Sequence, residues 1–373
     1  MPVRLAQIGT VFEVELDRQG SELVERRLGP APSEDRKQFV DDEAALAAYH
    51  ARIAELLESR WTRRTPCETV GDVATRELLD AVTAGDRDAI EVYNDLLIER
   101  GDVCGEYASL RAIDAPDARV RDRLAELEQL HRPRLYGVFG ALPDAARAHF
   151  ELVWRHGWIY EVIVRWRTQP RDAPTVTLHD ALYALLHAPM ARFVQSLDLE
   201  RELANTSVRC PHTDQITTLR ISGPATLEAL AAYPALRELE IVGHADVDHP
   251  TIETVILRMV GRQPRISITG QLPNLRRLVI VLTDPDRHAF AALRDWVRSL
   301  RPPRVDELAI WGRRRLSAAV IEALAASPLV DTLRILELAP APAPAQLDAL
   351  ALALADHDEA APVLLLHPMP ARP

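Results

Sequence analysis

The sequence predicts an α/β protein of several domains: a small antiparallel sheet with a helix, a helical linker region and an irregular α/β repeat solenoid. Three observations predict this class. Residues 11–16 largely alternate apolar and charged side chains, as a half-buried strand does. Apolar residues then follow at helical spacing from about residue 74. From Val194 onward, a frame of apolar-x-x-apolar-x-apolar recurs with helix-like segments between its copies. The expected domains are 1–62, 63–190 and 191–373.

The first domain is predicted from the amino terminus onward. A turn at Gln19-Gly20 and strand-like residues near Leu23-Val24 predict a hairpin with the first strand. Residues 29–35 (GPAPSED) are expected to form a loop and residues 38–40 a short strand. A helix is then expected from Asp42 to Ser59, with its apolar residues on one face.

This order of elements resembles a WGR domain, a sheet-plus-helix module found in poly(ADP-ribose) polymerases and in some bacterial regulatory proteins. The resemblance implies a module that helps contact DNA in the polymerases. The Trp-Gly pair that names the family is replaced by Glu25-Arg26, and Glu25 would repel phosphate. An interaction module is therefore expected, with nucleic-acid binding as the alternative. The matching residues are Phe12-Glu13-Val14-Glu15-Leu16, Arg27, Gly29, Phe39 and Glu43-Ala44-Ala45.

The linker region is predicted to be helical after a polar connection over residues 63–73. Gly101 sits where a helix ends in a left-handed residue, and Asp102 follows as the N-cap of the next helix. Pro133 is expected to end the last amphipathic helix. The expected helices are 74–84, 87–100, 103–112 and 117–131.

The helical corner around Gly101 resembles the bacterial repeat-companion domain, over roughly residues 70–112. That family has no known catalysis and is found beside leucine-rich repeats, so the resemblance implies context rather than a reaction. Leu96, Val103 and Cys104 depart from its pattern. The matching residues are Tyr93, Asp95, Leu97, Glu99-Arg100-Gly101-Asp102 and Gly105-Glu106.

Residues 134–190 are expected to add more helix. Trp154 and Trp158 would lie one helical turn apart, a spacing that favours core packing over stacking on a cofactor.

The last domain is predicted from its repeated frame. Most of its spacings fall in or beside the range of leucine-rich repeats, ~20–29 residues, and one strand plus one helix per unit resembles that family. The inward Asn of regular repeats is absent, which predicts an irregular solenoid. Residues 251–260 are expected to be helical, and residues 265–268 are a further strand candidate. The frames are Val194/Leu197/Leu199, Ile216/Leu219/Ile221, Leu236/Leu239/Ile241, Leu275/Leu278/Ile280, Val305/Leu308/Ile310 and Val330/Leu333/Ile335.

A partner-binding face is predicted from the strand residues that alternate with the apolar ones, because they point to the concave side of the repeats. Trp and Arg are frequent at binding hot spots, so we expect a centre near Trp311 with Arg277 and Arg334. Equally, the arginines could form a solvated face balanced by glutamates, and Trp311 could contact a neighbouring loop. Leu336 is expected on this face beneath the last helix. The predicted partner-binding residues are Arg220, Glu238, Glu240, Arg277, Glu307, Trp311 and Arg334.

Composition and short motifs narrow the function further. A net charge of −11 argues against wholesale binding to nucleic acid or to an anionic membrane. The three cysteines are too widely spaced for a disulfide framework or a zinc pair, and no run of 18 apolar residues occurs, so a cytoplasmic protein is expected. The run 244–249 offers metal-ligand types, and Cys210 with His212 and Asp214 has the parts of a thiol catalytic set. Polar loops are the favoured interpretation of both runs, so no cofactor, metal or catalytic residue is predicted.

The sequence thus predicts a non-catalytic interaction or adaptor protein that binds a protein partner on its repeat face. One alternative is a nucleic-acid-linked regulator that acts through Arg26, Arg27 and Arg36. Another is a target or regulator of a protease in a bacterial stress or defence system, with a cleavable loop at 28–37 or 339–345.

Overall fold

The chain divides into two units by its internal contacts. Unit 1 comprises residues 1–195 with 208–215, and unit 2 comprises residues 196–207 with 216–373. The computed structural model describes residues 3–7, 13–19, 21–28, 33–41, 43–45, 48–49, 52, 61–64, 73–165, 177–200, 213–222, 230–242, 244–260, 267–269, 272–283, 287–299, 305–329, 332–355 and 362–367.

Unit 1 begins with a five-stranded antiparallel sheet in the order β4-β3-β2-β1-β5. The predicted hairpin is confirmed, since β2 and β3 pair antiparallel. The loop predicted over 29–35 is wrong in its last three residues, which belong to β4, and β1 and β5 were not predicted. Val14, Leu16, Leu23 and Tyr49 form the core beneath this sheet. The strands are β1 (Val3–Gln7), β2 (Glu13–Gln19), β3 (Glu22–Leu28), β4 (Ser33–Gln38) and β5 (Trp61–Arg64).

Four helices follow, and the local signals in the sequence placed them to within a few residues at most ends. Gly101 has a φ of 69°, the left-handed conformation that allows the chain to turn between two helices. The Asp102 carboxylate accepts the Cys104 N–H at 2.9 Å and so caps the third helix. In the fourth helix the helical backbone breaks at His131, two residues before Pro133, and again at Gly137. The helices are α1 (Val73–Thr83), α2 (Arg87–Glu99), α3 (Val103–Arg111) and α4 (Ala118–Ala141).

The segment around the tryptophans is not helical, which corrects the sequence prediction. After the short helix α5 (Asp144–Arg147), β6 (Phe150–Arg155) and β7 (Trp158–Val164) form an antiparallel hairpin. Its tip is His156-Gly157, and both residues have positive φ, as tight hairpin turns require. Trp154 and Trp158 therefore lie on two neighbouring strands.

Unit 1 ends with α6 (Leu178–Leu186), whose first turn is capped by Thr177. Side chains of α2 pack against the β6–β7 hairpin. Trp158 is 3% exposed, its indole N–H donates to Asn94 Oδ1 at 3.0 Å, and its ring lies 5.0 Å from that of Phe193. The tryptophan is therefore a core residue, as its aromatic neighbours favour.

Unit 2 contains eight described strands that pair in parallel in the order β17-β16-β15-β14-β12-β10-β9-β8. In the described residues of this unit, three of the helix-like segments that the sequence predicted between strands are helices: α7 (Arg287–Ser299), α8 (Ala318–Ala325) and α9 (Pro344–Ala355). The strands are β8 (Ser196–Leu199), β9 (Thr218–Ile221), β10 (Glu238–Val242), β12 (Thr254–Val260), β14 (Arg277–Thr283), β15 (Glu307–Gly312), β16 (Ile335–Ala339) and β17 (Val363–Leu366).

One prediction in this unit is wrong, and one strand candidate is a strand of a different sheet. Residues 251–260, predicted as a helix, supply strand β12 between β10 and β14. The strand candidate near residue 268 is β13 (Ser267–Thr269), which pairs instead with β11 (His244–Asp246) in a separate two-stranded sheet. A short, mostly apolar run is compatible with a helix or with a central strand, and here pairing with both neighbours decides for the strand.

One face of the parallel sheet is lined by leucine and other aliphatic side chains that alternate with polar ones. The aliphatic residue at the central position is buried in seven strands, from Leu197 to Leu336, and half-buried at Leu364 in β17. Each buried side chain stabilises the fold by about 1.5–3 kcal/mol relative to an exposed position. The last predicted frame is displaced. Its middle residue, Leu333, was expected to align with Leu308, but the residue that does so is Leu336, three residues farther along the chain. Leu336 is thus 0% exposed in this core row and does not lie on the partner face, which corrects its predicted position.

Candidate functional site

The side of the parallel sheet opposite the aliphatic core carries three rows of side chains, because neighbouring strands keep one register. We call this side the polar face. The first row is Ser196, Thr218, Glu238, Thr254, Arg277, Glu307, Ile335 and Val363. The middle row is Asp198, Arg220, Glu240, Ile256, Val279, Ala309, Glu337 and Leu365. The third row, at the carboxyl ends of the strands, is Val242, Arg258, Val281, Trp311 and Ala339.

A buried carboxylate anchors one end of the polar face. Glu240 is 7% exposed and lies directly opposite Arg220, whose Nε is 3.3 Å from the carboxylate. Arg258 from the next strand pairs with the other oxygen of the same carboxylate. Two guanidiniums thereby offset the cost of removing this charge from water. Arg258 was not predicted on this face because residues 251–260 were expected to be a helix. The frame Ile252/Val255/Leu257 is the signal in the sequence that identifies the strand.

A second charged group lies toward the other end of the face. Arg277 approaches Glu307 at 3.5 Å and Glu337 at 3.7 Å, and His367 Nε2 is 3.1 Å from Glu337. Exposed pairs of this kind stabilise a fold by ~0–1 kcal/mol. Their effect on the face is to fix the orientation of several side chains. Glu337 was not predicted because of the three-residue shift in the last frame.

An apolar centre lies between the two charged groups. Val279 and Ala309 in the middle row are 1% and 2% exposed, and Trp311 is partly exposed beside them in the third row. Trp311 aligns with Val281 on one side and Ala339 on the other. The arrangement is a large aromatic side chain on an aliphatic base, bordered by ion pairs.

The predicted site residues divide into those on the polar face and one elsewhere. Arg220, Glu238, Glu240, Arg277, Glu307 and Trp311 are on the face.

Arg334 is exposed and precedes β16, where its backbone N–H donates to the Asp306 carbonyl at 2.7 Å. Arg277 lies four residues along the strand direction from Trp311, about 13 Å, and Arg334 lies farther still. The structure therefore does not bring the predicted trio of Trp311, Arg277 and Arg334 together.

The arginines proposed for nucleic-acid binding have carboxylate partners. Arg26 pairs with Glu34 at 2.7 Å, Arg36 pairs with the same glutamate at 2.6 Å, and Arg27 lies 3.7 Å from Glu25. Paired guanidiniums are poorer phosphate ligands, because the existing pair must be broken. Residues 33–37, part of the stretch predicted as cleavable, are held in β4 by pairing with β3.

The side chains of the two runs considered for metal or thiol chemistry are described only in part. In the part of the chain that is described, no cluster of three His, Cys, Asp or Glu side chains could hold a metal ion. His249 is 4% exposed and its Nδ1 lies 3.2 Å from the Thr251 hydroxyl. Burial lowers the pKa of His249 despite opposing hydrogen bonds with the backbone of Tyr233 and Leu230. Cys210 and His212 lie outside the described residues.

Comparisons with known proteins give the chain no family. No protein-family model matches it, and no curated protein matches it. A crystal structure of a Bacteroides fragilis protein, a structural genomics target, aligns over 90% of this chain and 81% of its own, at 13% identity and a TM-score of 0.27. A likeness this low supports no inference about this chain. Separately, no helix in the described ranges has the length and apolar character needed to cross a membrane.

Proposed function

We propose that this protein is a non-catalytic binding protein that recognises a protein partner on the polar face of unit 2. The observation that carries the proposal is Trp311, a partly exposed aromatic ring beside a buried aliphatic base, on the same sheet face as the Arg277–Glu307 ion pair. Aromatic side chains in such settings contribute most of the energy at protein interfaces.

The finer architecture belongs to the same proposal. The succession of parallel strands and helices supports an irregular solenoid similar to leucine-rich repeats, and the helices over 73–111 support a repeat-companion region before it. The N-terminal sheet with its helix supports a WGR-like interaction module that has lost its phosphate-contacting character.

The ion pairs on the face suit binding better than chemistry. The Glu240 and Glu307 carboxylates are both engaged by guanidiniums within the face. A charged rim that is already ordered loses little side-chain entropy when a partner docks, so more of the contact energy appears as affinity.

The experiment compares tagged full-length protein with two single variants in native lysate, with and without nuclease. Trp311→Ala removes the proposed anchor. Leu352→Ala is the control, because it removes a side chain that is 68% exposed on helix α9. Circular dichroism melting of each variant establishes that it is folded.

We expect quantitative mass spectrometry to find a protein retained by the wild type and by the Leu352 variant, with recovery reduced about tenfold or more by Trp311→Ala. Equal recovery by all three proteins would contradict a role for the polar face. Recovery that disappears only with nuclease would transfer the function to the N-terminal module.

A further inference from the structure

Unit 1 contains an open cleft that the proposed partner face does not use. It is an open space with a cavity volume of about 50 Å³, between the turn joining α1 to α2 and the β6–β7 hairpin. Its floor is apolar and well packed, since every side chain there is at most 6% exposed. The floor residues are Val82, Ile90, Trp158, Ile159 and Phe193.

The rim of this cleft carries two cationic or protonatable side chains, Arg155 and His156. The Arg155 guanidinium lies 5.2 Å from the centroid of the Tyr160 ring, a cation–π contact that holds it at the mouth. Within the described residues, neither Arg155 nor His156 has a carboxylate partner.

The carboxylates near the cleft are otherwise engaged. Asp86, in the adjacent turn, accepts the backbone N–H groups of Asp88 at 3.0 Å and Ala89 at 3.2 Å as the cap of α2. Glu161 follows Tyr160 on β7, and successive strand residues point to opposite sides of a hairpin. An anion at the rim would therefore meet donors rather than a facing carboxylate.

We propose that this cleft binds a carboxylate attached to a small apolar group. The apolar group would lie against Ile90 and Phe193, the floor side chains that keep the most exposed surface at 6% each, and the carboxylate would accept charge-assisted hydrogen bonds from Arg155 and His156. The same chemistry occurs at the C-terminal residue of a peptide and in a free short-chain carboxylic acid. This site belongs to unit 1 and does not depend on the function proposed for unit 2.

The test uses full-length protein and ligand-observed saturation-transfer NMR. The probes are 4-methylpentanoate, its amide, and N-acetyl-glycyl-leucine with either a free or an amidated carboxyl terminus. We expect the free carboxylates to bind about tenfold more tightly than their amides, since hydrogen bonds to charged groups are the stronger class. Tighter binding of the peptide than of 4-methylpentanoate would identify a peptide terminus as the ligand, and the reverse order would identify a small acid.

Variants then locate the site. Arg155→Met keeps the alkyl chain but removes the charge, and His156→Asn removes the imidazole with a residue that tolerates the φ of 49° at this turn. Arg119→Met on the exposed surface of α4 is the matched control. We expect about a tenfold weaker carboxylate affinity for the first, a smaller loss for the second and no change for the control.

The indole N–H resonance of Trp158 provides a readout at the cleft floor, because that group donates to Asn94. It should shift when a carboxylate binds. Equal binding of carboxylates and amides, no saturation transfer from any probe, or a wild-type affinity for Arg155→Met would each overturn the proposal.

Discussion

Trp158 and Trp311 show how one residue type serves two purposes in this chain. Trp158 is 3% exposed, and its indole N–H has an internal acceptor, Asn94, at 3.0 Å. Trp311 is partly exposed on a sheet face and aligns with Val281 and Ala339. A tryptophan whose polar atom and apolar surface are both satisfied internally stabilises the fold, whereas one that keeps apolar surface in water is suited to a partner.

The largest expected effect concerns the hairpin tip that positions Trp158. A Cβ at Gly157 would lie 1.9 Å from the Ala108 carbonyl oxygen, while one at Gly85, with the same φ of 84°, would meet nothing within 4 Å. Gly157→Ala should therefore reduce the free energy of unfolding by about 4 kcal/mol or more, and Gly85→Ala by about 1–2 kcal/mol from backbone strain alone. Chemical denaturation measures both. Equal losses would show that the hairpin tip can move away from α3.

The two tryptophans should differ when each is removed. Trp158→Ala should cost about 3–5 kcal/mol, because it empties a core position and leaves Asn94 without its donor. Trp311→Ala should cost less than about 1 kcal/mol. Thermal and denaturant unfolding of the two variants would check this, and a similar loss in both would mean that Trp311 is a structural residue.

Glu240 lies on the polar face with Trp311. Like Trp158, however, it is buried and depends on partners within the protein. Replacing Arg220 and Arg258 together by Ala should cost about 3 kcal/mol, since a buried carboxylate would lose its compensating charges. Adding Glu240→Leu to that double variant should recover much of the loss. Arg277→Ala is the control and should cost ~0–1 kcal/mol, because its pairs are half-exposed. Failure of the leucine to rescue would show that packing, rather than charge, dominates there.

The smallest effect is expected at Glu25 in the N-terminal sheet. Burial acts to raise its pKa, but hydrogen bonds from Arg52 at 2.9 and 3.1 Å and the charges of Arg52, Arg27 and Lys37 outweigh it, so the pKa lies below its ordinary value of 4.5. A lowered folded-state pKa stabilises the fold above pH 4.5 and loses that contribution as the pH falls through the lowered value.

Amide hydrogen exchange of β2 and β3 at pH 7 and below pH 4 tests this. The wild type should lose protection in acid more than Glu25→Gln does, and Glu43→Gln, at an exposed position, should behave as the wild type does. Identical acid responses in the wild type and Glu25→Gln would contradict the assignment.

The helices of unit 1 were predicted from local signals in the sequence. The strands that were not predicted depend on pairing with residues far away in the chain. The turn at Gly101 and the cap at Asp102 depend on neighbouring residues only, so both were predicted from the sequence. The run 251–260 is mostly apolar, with Glu253 and Arg258 within it, and only the presence of β10 and β14 on both sides makes it a strand. Trp154 and Trp158 were assigned to a helix because their spacing fits one, although His156-Gly157 is a turn.

The candidate site was predicted correctly where it depends on alternation within a strand, and incorrectly where it depends on pairing between strands. The repeated frame placed Arg220, Glu240, Arg277 and Glu307 on one face, because alternation is a property of each strand. Arg258 was missed with its strand. Arg334 was assigned to the face because the last frame was displaced, and only the pairing of β16 with β15 reveals the displacement.

The constant register from β8 to β17 also determines how the polar face can change in evolution. Each strand contributes one residue to the first and middle rows, and five of the eight also contribute one to the third row. Inserting or deleting a whole strand–helix unit would therefore lengthen or shorten the first two rows by about 4.8 Å. The residues of the other strands would stay on the same side of the sheet. Inserting a single residue within a strand would exchange the two sides beyond it. Gains and losses of whole units therefore adjust the reach of this surface, while the chemistry at each row position can diverge separately.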